Sequence, residues 1–246
     1  GITFLSTPFD HESITFLTKL NSGLFKIPSG EITNLPYIEH VSEVAREVIL
    51  STGMSTIDEI TRAIEVIKKK LPKEKISVLH CTTEYPAPYE EINLRVIKSL
   101  KDRYGLKVGY SDHSMGIEVP IAAVAMGAKI IEKHFTLDRE MIGPDHKASL
   151  EPIELNEMVK SIRNIEKSFG NHEKTVTKSE EKNKIVARKS IHVKNQIKSN
   201  EKISRENLIM KRPGDGISPF EIYNIIGKKA KFNLDKNHKL SRNDYN

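Results

Sequence analysis

Tryptophan is absent from this 246-residue chain and cysteine occurs once, at Cys81. A single thiol excludes an internal disulfide and fits the reducing environment of a cytoplasm. No apolar run approaches the roughly 20 residues of a membrane-spanning helix. A charged, then apolar, then small-residue leader is also missing at the start, so no signal peptide is read there. Aromatic residues make up only 6%. That scarcity bears on the basic charge, which lies late in the chain. Segment 160–212 holds 15 Lys and Arg against 6 Glu and no Asp, a net of +9. A nucleic-acid surface would interleave aromatics with that charge. Their lack favours a solvated basic face or attraction for anionic metabolites. Neither nucleic acid nor a membrane is expected as a partner. An initiating Met is missing too, and Gly1 to Leu5 already reads as a strand. The chain is therefore expected to be cut from a longer one.

What is present is an alternation of strands and helices. Apolar residues make up 37% and charged residues 29%, the profile of a globular protein. Ile2 to Ser6 reads as a buried strand. Asp10 can cap a helix with apolar positions Ile14, Leu17 and Leu20. Strands follow at Leu24–Ile27, Glu47–Leu50, Lys75–His80, Lys107–Tyr110 and Ala128–Glu132. Between them, helices are expected over Leu35–Arg46, from the capping box Thr56-x-x-Glu59, over Ile92–Lys101 and over Val119–Met126. A further helix runs from Pro152 to about Ser168. This makes six βα units at a spacing of roughly 25–30 residues, hence a parallel sheet covered by helices. Every strand ends in Ser, Thr, Lys, Glu, Tyr or His. A site built from all strand ends favours a (β/α)8 barrel over an open doubly wound sheet. Six units are too few, so about the first two are expected to be missing. Residues 170–185 read as a polar linker, and 186–246 as a small separate domain of short β-like runs.

Two consecutive units finish on a histidine, His113 in YSDHS and His134 in EKHFT. Side chains at the C-terminal ends of neighbouring parallel strands point into one crevice. Two neutral imidazoles there can share a divalent metal and leave positions open for water or substrate. The plainer reading is that each histidine bonds a backbone carbonyl at a strand end. Lys26, read alone, is a surface lysine or a Schiff-base lysine. Each strand-end Ser or Thr, read alone, is a cap or turn residue.

Eight stretches together resemble the N-acetylneuraminate (sialic acid) synthase family, which includes legionaminate and pseudaminate synthases. They are STPFD at 6–10, KIPSGE at 26–31, STGM at 51–54, LHCTTEYPAP at 79–88, GYSDHS at 109–114, EKHFTLD at 132–138, GPDH at 143–146 and KRPGDGISP at 211–219. The resemblance implies a (β/α)8 TIM barrel lacking about its first two βα units, in residues 1–169. It implies a small antifreeze-like (SAF) domain in 186–246. The reaction it implies condenses phosphoenolpyruvate with N-acetylmannosamine, or a related N-acetylated hexosamine, to a nine-carbon keto acid plus phosphate. The motif set looks closest to the N-acetylmannosamine-using members, with 2,4-diacetamido sugars left open.

The same resemblance assigns roles residue by residue. His113 and His134 would hold a divalent metal, most often Mn2+, that polarises the sugar aldehyde. Thr7, Lys26, Ser29, Ser51 and Ser111 would contact phosphoenolpyruvate, with Thr83 standing where some relatives carry Asn. Tyr85 and Asp145 would bind the sugar. Arg212 would reach the sugar's acetamido oxygen in the neighbouring chain of a domain-swapped homodimer. Other readings of the chain are a truncated barrel that only binds ligand or a partner, an aldolase using Lys26, and an ice-binding module. The last is disfavoured because Lys and Glu crowd 194–206, where a flat apolar face is wanted.

Overall fold

The structure, a computed structural model, describes residues 1–246 and divides the chain into two compact units, Gly1–Gly170 and Asn171–Asn246. No helix is long and apolar enough to cross a membrane.

The first unit is built on a five-stranded parallel sheet in the order β1-β2-β3-β4-β5. These strands are β1 (Leu24–Ile27), β2 (Glu47–Ser51), β3 (Ile76–Cys81), β4 (Lys107–Asp112) and β5 (Ile131–Lys133). Around them lie α1 (His11–Lys19), α2 (Leu35–Val44), α3 (Ile57–Lys68), α4 (Val96–Tyr104), α5 (Glu118–Ala125) and α6 (Pro152–Ser168). Local chemistry explains where the helices begin. The Asp10 side chain accepts the Ser13 N–H at 2.6 Å and caps α1. Thr56 and Glu59 close the reciprocal capping box of α3. Ile60, Ile64 and Ile67 of α3 are buried one above the other, as the helical period requires.

Strand residues alternate between two faces of different chemistry. Phe25, Ile27, Val48, Leu50, Val78 and Val108 belong to the apolar core that the helices cover. Each such side chain, once fully buried, contributes roughly 1.5–3 kcal/mol. The residues between them, Lys26, Ser51, Ser77, Cys81, Ser111 and Glu132, face the other way. That second face is concave. Lys26 of β1 meets Glu132 of β5 at 2.5 Å, although the two strands are at opposite ends of the sheet. In a flat sheet four inter-strand gaps of about 4.8 Å would separate them, more than the two side chains can bridge. The sheet therefore curls, as in part of a barrel wall.

Three expectations change. Ile2–Ser6 is not a strand: Ile2 is fully exposed, Phe4 is 72% exposed, and no backbone ladder pairs the segment. A strand persists only against a neighbour, and β1 pairs with β2 alone. The sheet accordingly has five strands rather than six, and its order is open, with β1 and β5 unpaired to each other. The helix expected from Ile92 begins at Val96, because Asn93 takes a left-handed φ of 53° that interrupts the turn.

The second unit is antiparallel. Strands β6 (Ser190–Val193) and β7 (Leu208–Lys211) pair, and isolated bridges such as Ile197–Leu234 and Ala230–Tyr245 extend the pattern. Ile191, Val193, Ile197, Ile203, Leu208 and Ile225 lie in its core. One helix, α7 (Glu181–Ala187), occupies the end of the stretch expected as a linker, so 170–185 is not uniformly irregular. Its N-terminal approach is shaped by Glu180, which accepts from the Thr177 N–H and hydroxyl.

Candidate active site

The C-terminal ends of β4 and β5 place the two histidines together. Ser111 and His113 are two residues apart, as are Glu132 and His134, so each pair projects to the same side of its strand. The ladder sets Ser111 opposite Glu132 and Asp112 opposite Lys133. The ring centroids of His113 and His134 are 5.5 Å apart with planes at 78°. Tyr85, on the loop after β3, lies against both, at 4.0 Å from His113 and 5.3 Å from His134. Burial raises the Tyr85 hydroxyl above the ordinary phenol value.

Hydrogen bonds fix the orientation of His113. Its Nδ1 lies 2.7 Å from the carbonyl oxygen of Thr82. A carbonyl can only accept, so Nδ1 carries the proton and Nε2 keeps its lone pair. The ring is buried, and burial followed by the nearby His134 holds its pKa below the usual imidazole value, against the opposing Thr82 bond. It is therefore neutral at pH 7. His134 is one-third exposed, with Nδ1 3.9 Å from an Asp145 carboxylate oxygen. Its carbonyl accepts the Leu150 N–H at 2.9 Å.

The concave face beside the histidines carries one cation and several hydroxyls. The Lys26 ammonium and the Ser111 hydroxyl both donate to the same oxygen of Glu132, at 2.5 and 2.7 Å. Ser29 accepts the Gly53 N–H at 2.9 Å. A Cβ on Gly53 would stand 2.0 Å from the Thr83 hydroxyl and 2.9 Å from that of Ser29, so only glycine fits between β2 and these two side chains. The Cys81 thiol sits among the hydroxyls of Ser111, Ser29 and Thr83, 3.9 Å from His113 Nδ1, and burial pushes it up from the usual thiol value. Ser51, 1% exposed, and Thr83 each have a buried hydroxyl with no hydrogen-bond partner. Buried hydroxyls without partners are costly unless something else satisfies them.

Lys26, Ser29, Thr83, Ser111, His113 and His134 thus gather on the concave face, with Ser51 at the end of β2 and Tyr85 and Asp145 on strand-end loops. Thr7 is not brought in by any hydrogen bond: it lies in the irregular segment before α1, where Pro8 accepts from the Tyr37 hydroxyl. Arg212 belongs to the second unit. There it is exposed, precedes a cis Pro213, and donates from Nε to the Ala187 carbonyl at 3.0 Å. Sequence reading missed Glu132, Asp112, Lys133 and Gly53. The period of two along β5 was the available signal for Glu132, because it shares a face with His134.

A divalent metal fits the pair of histidines in part. Their donors are imidazole nitrogens, which suit borderline divalent ions; His113 has the carbonyl partner of a ligating histidine on Nδ1, while the Asp145 carboxylate stands 3.9 Å from His134, beyond hydrogen-bond distance. No third His, Cys, Asp or Glu joins them in a ligating cluster. The remaining positions would fall to water or to substrate oxygens.

Residues 1–174 match the NeuB family. The chain belongs to that family. Residues 188–239 match the SAF domain. Among curated relatives, the N,N'-diacetyllegionaminic acid synthase of Campylobacter jejuni is 52% identical over 94% of this chain and 69% of its own length. The enzyme of the same name from Legionella pneumophila is 45% identical over 95% of this chain and 67% of its own. The solved N-acetylneuraminic acid (sialic acid) synthetase of Leptospira borgpetersenii, in complex with citrate, superposes with a TM-score of 0.69. It is 40% identical and covers 74% of this chain and 63% of its own. This NeuB chain therefore spans about two thirds of the length of those relatives.

Proposed function

We propose that this NeuB-family chain is the catalytic part of a nonulosonate synthase, a carbon–carbon bond-forming transferase. It would condense phosphoenolpyruvate with an N-acetylated hexosamine and release phosphate. The observation that carries this reading is the juxtaposition of two imidazoles, 5.5 Å apart, with a lysine and hydroxyl face at the same strand ends. The chemistry needs both parts. C3 of phosphoenolpyruvate is a weak nucleophile, so the sugar aldehyde must be polarised before the bond forms. Its carboxylate and phosphate need a cation and several short donors from rigid elements. As the new C–C bond forms, water adds at C2, and the C2–O bond to phosphate then breaks.

His113 and His134 would hold the divalent metal, for which we propose Mn2+, and when bound it supplies Lewis acidity toward the aldehyde. Lys26, Ser29, Ser51, Thr83 and Ser111 would bind the anionic substrate. Three features support their roles: the Lys26 ammonium lies on the concave face, and the hydroxyls of Ser51 and Thr83 lack partners within the chain. Thr7 is carried to that group by the resemblance alone. Tyr85 and Asp145, beside the imidazoles, would orient the sugar. Arg212 keeps only its Nε bonded, which suits a guanidinium presented to a ligand. We assign it to the acetamido oxygen bound by a neighbouring chain in a swapped homodimer. Its test is to mix Arg212→Ala with His113→Ala protein: activity returns in part if the sites are shared between chains, and does not if each chain serves itself.

The names of the two legionaminic acid relatives favour a particular sugar. Phosphoenolpyruvate carries no nitrogen, so both acetamido groups of a diacetylated product come from the hexosamine. We therefore put a 2,4-diacetamido hexose ahead of N-acetylmannosamine. The test supplies the full protein with Mn2+, phosphoenolpyruvate and each sugar, and follows phosphate release. Release that depends on an acetamido hexose, fastest with two acetamido groups, is expected. Release with none of these aldehydes would contradict the reading.

A further inference from the structure

Asp112 and Lys133 form the most deeply buried ion pair of the chain, at 2.6 Å with side chains 0% and 3% exposed. They are register partners on β4 and β5, each directly preceding a histidine of the site. Being one residue out of phase with Ser111 and Glu132, they face the opposite side of the sheet from the substrate crevice. They cannot touch a ligand there. What they touch is the backbone that carries the histidines. One Asp112 oxygen accepts the Ser114 N–H at 3.0 Å and the Ser114 hydroxyl at 2.8 Å, so His113 sits at the middle of a three-residue turn closed by the Asp112 side chain. The other oxygen takes Lys133, and the same ammonium donates to the Ser114 carbonyl. Lys133 of the His134 strand thus holds both ends of the turn that presents His113.

We propose that the Asp112–Lys133–Ser114 network is a positioning clamp that sets the separation of the two imidazoles and with it the affinity for the divalent metal. Two observations favour this over a role in folding alone. First, a buried ion pair is weak evidence for stability, because desolvation offsets the attraction. Second, β5 has only three ladder residues against β4, and past them its backbone is tied to Leu150, through His134 and Thr136, so on the β4 side the clamp is what fixes its end. Outer partners of metal-ligating side chains typically matter 10–100-fold in metal affinity.

The inference rests on the proposed reading of His113 and His134 as ligands, and its test separates the two. Mn2+ binding to the full protein is measured without substrates, from loss of the free aquo-ion signal in electron paramagnetic resonance. Asp112→Asn with Lys133→Met removes both charges together and leaves no buried charge unpaired. The clamp predicts an affinity roughly 10- to 100-fold weaker in this folded double variant. A folded double variant that binds Mn2+ as wild type overturns it. Ser114→Ala removes one donor and no charge, and keeps the question decidable if the double variant does not fold. It should weaken Mn2+ several-fold, and unchanged affinity counts against the clamp. Lys133→Arg retains donors for Asp112 and the Ser114 carbonyl and should recover most of the affinity. Equal loss in Lys133→Arg and the double variant would overturn the clamp. His113→Ala and His134→Ala run alongside. If they leave Mn2+ binding intact, the metal assignment itself is wrong, whatever the clamp variants do.

Discussion

Buried polar side chains are treated differently in the two units. In the second unit each one is satisfied close by. The Ser190 hydroxyl donates to Pro213 and accepts from Gly216, His192 bonds the Ser190 carbonyl, and Asp244 accepts from Ser241 and His238. In the first unit Ser51, Thr83 and Tyr110 have buried hydroxyls with no partner. Two of these three lie at the strand ends where the histidines and Lys26 also sit. Native proteins leave few such groups, and each that remains calls for a cause such as strain, a catalytic role or a bound water, ion or ligand. The net charges differ as well. From the residue counts, 1–170 carries −3 and 171–246 carries +9. The first unit places its candidate site at a sheet end with incomplete bonding. The second completes its bonding and shows a net positive charge, with Arg212 among its exposed arginines.

Substitutions in each unit test this contrast. The largest effect is expected from His113→Ala or His134→Ala. Turnover should fall by more than the roughly 100-fold that outer-shell changes cost, with the far-ultraviolet circular dichroism unchanged. Retained turnover in either variant would remove the first unit's claim to the chemistry. Core truncation comes next and should act alike in both units, since both bury apolar residues fully. Leu50→Ala and Ile225→Ala, both at sites with 0% exposure, should each cost about 2–5 kcal/mol. Hydrogen exchange read on the strands of each unit is the check. A cost under about 1 kcal/mol at Ile225 would mean the small core is looser than its packing implies.

Lys26→Ala should raise the phosphoenolpyruvate KM by roughly ten- to a hundredfold, the loss of a charge-assisted hydrogen bond worth about 1.5–3 kcal/mol. The sugar KM should move less, and an equal rise in both would place Lys26 elsewhere in the reaction. The smallest expected effect concerns pH. Burial lowers the pKa of His80 from 6.5, the residue being 8% exposed with Nε2 2.6 Å from the Ile92 carbonyl. The unfolded chain then binds the proton more readily than the folded one, so stability is complete above about pH 6.5 and falls as pH drops below it. His80→Gln keeps a donor for Ile92 and should flatten that acid limb in urea titrations between pH 7 and 5. An unchanged slope would leave the limb to other groups.

Much of this was legible in the sequence for reasons that are local. The Thr56–Glu59 box, the Asp10 cap and the period of α3 depend on residues within a few positions of each other, and the helices follow them. The strands that have neighbours lie within a few residues of where hydrophobic runs put them. Ile2–Ser6 failed for the converse reason: its apolar run is ordinary, and only the absence of a pairing partner, a non-local fact, decides against a strand. The two histidines were visible as strand-end residues in consecutive units. Glu132 was not, because its importance comes from Lys26, 106 positions away, which meets it only once the sheet curls. The Asp112–Lys133 pair was hidden in the same way, each residue reading as an ordinary charge beside a more conspicuous histidine.

We place the divalent metal on His113 and His134 together, and electron–nuclear double resonance on Mn2+-loaded protein with 15N-labelled histidine is the measurement that decides it. The account predicts couplings to two histidine nitrogens in the wild type. It predicts one in a His113→Ala or His134→Ala protein at Mn2+ high enough to occupy the weakened site. Two unchanged couplings after removal of either side chain, or none in the wild type, would contradict it.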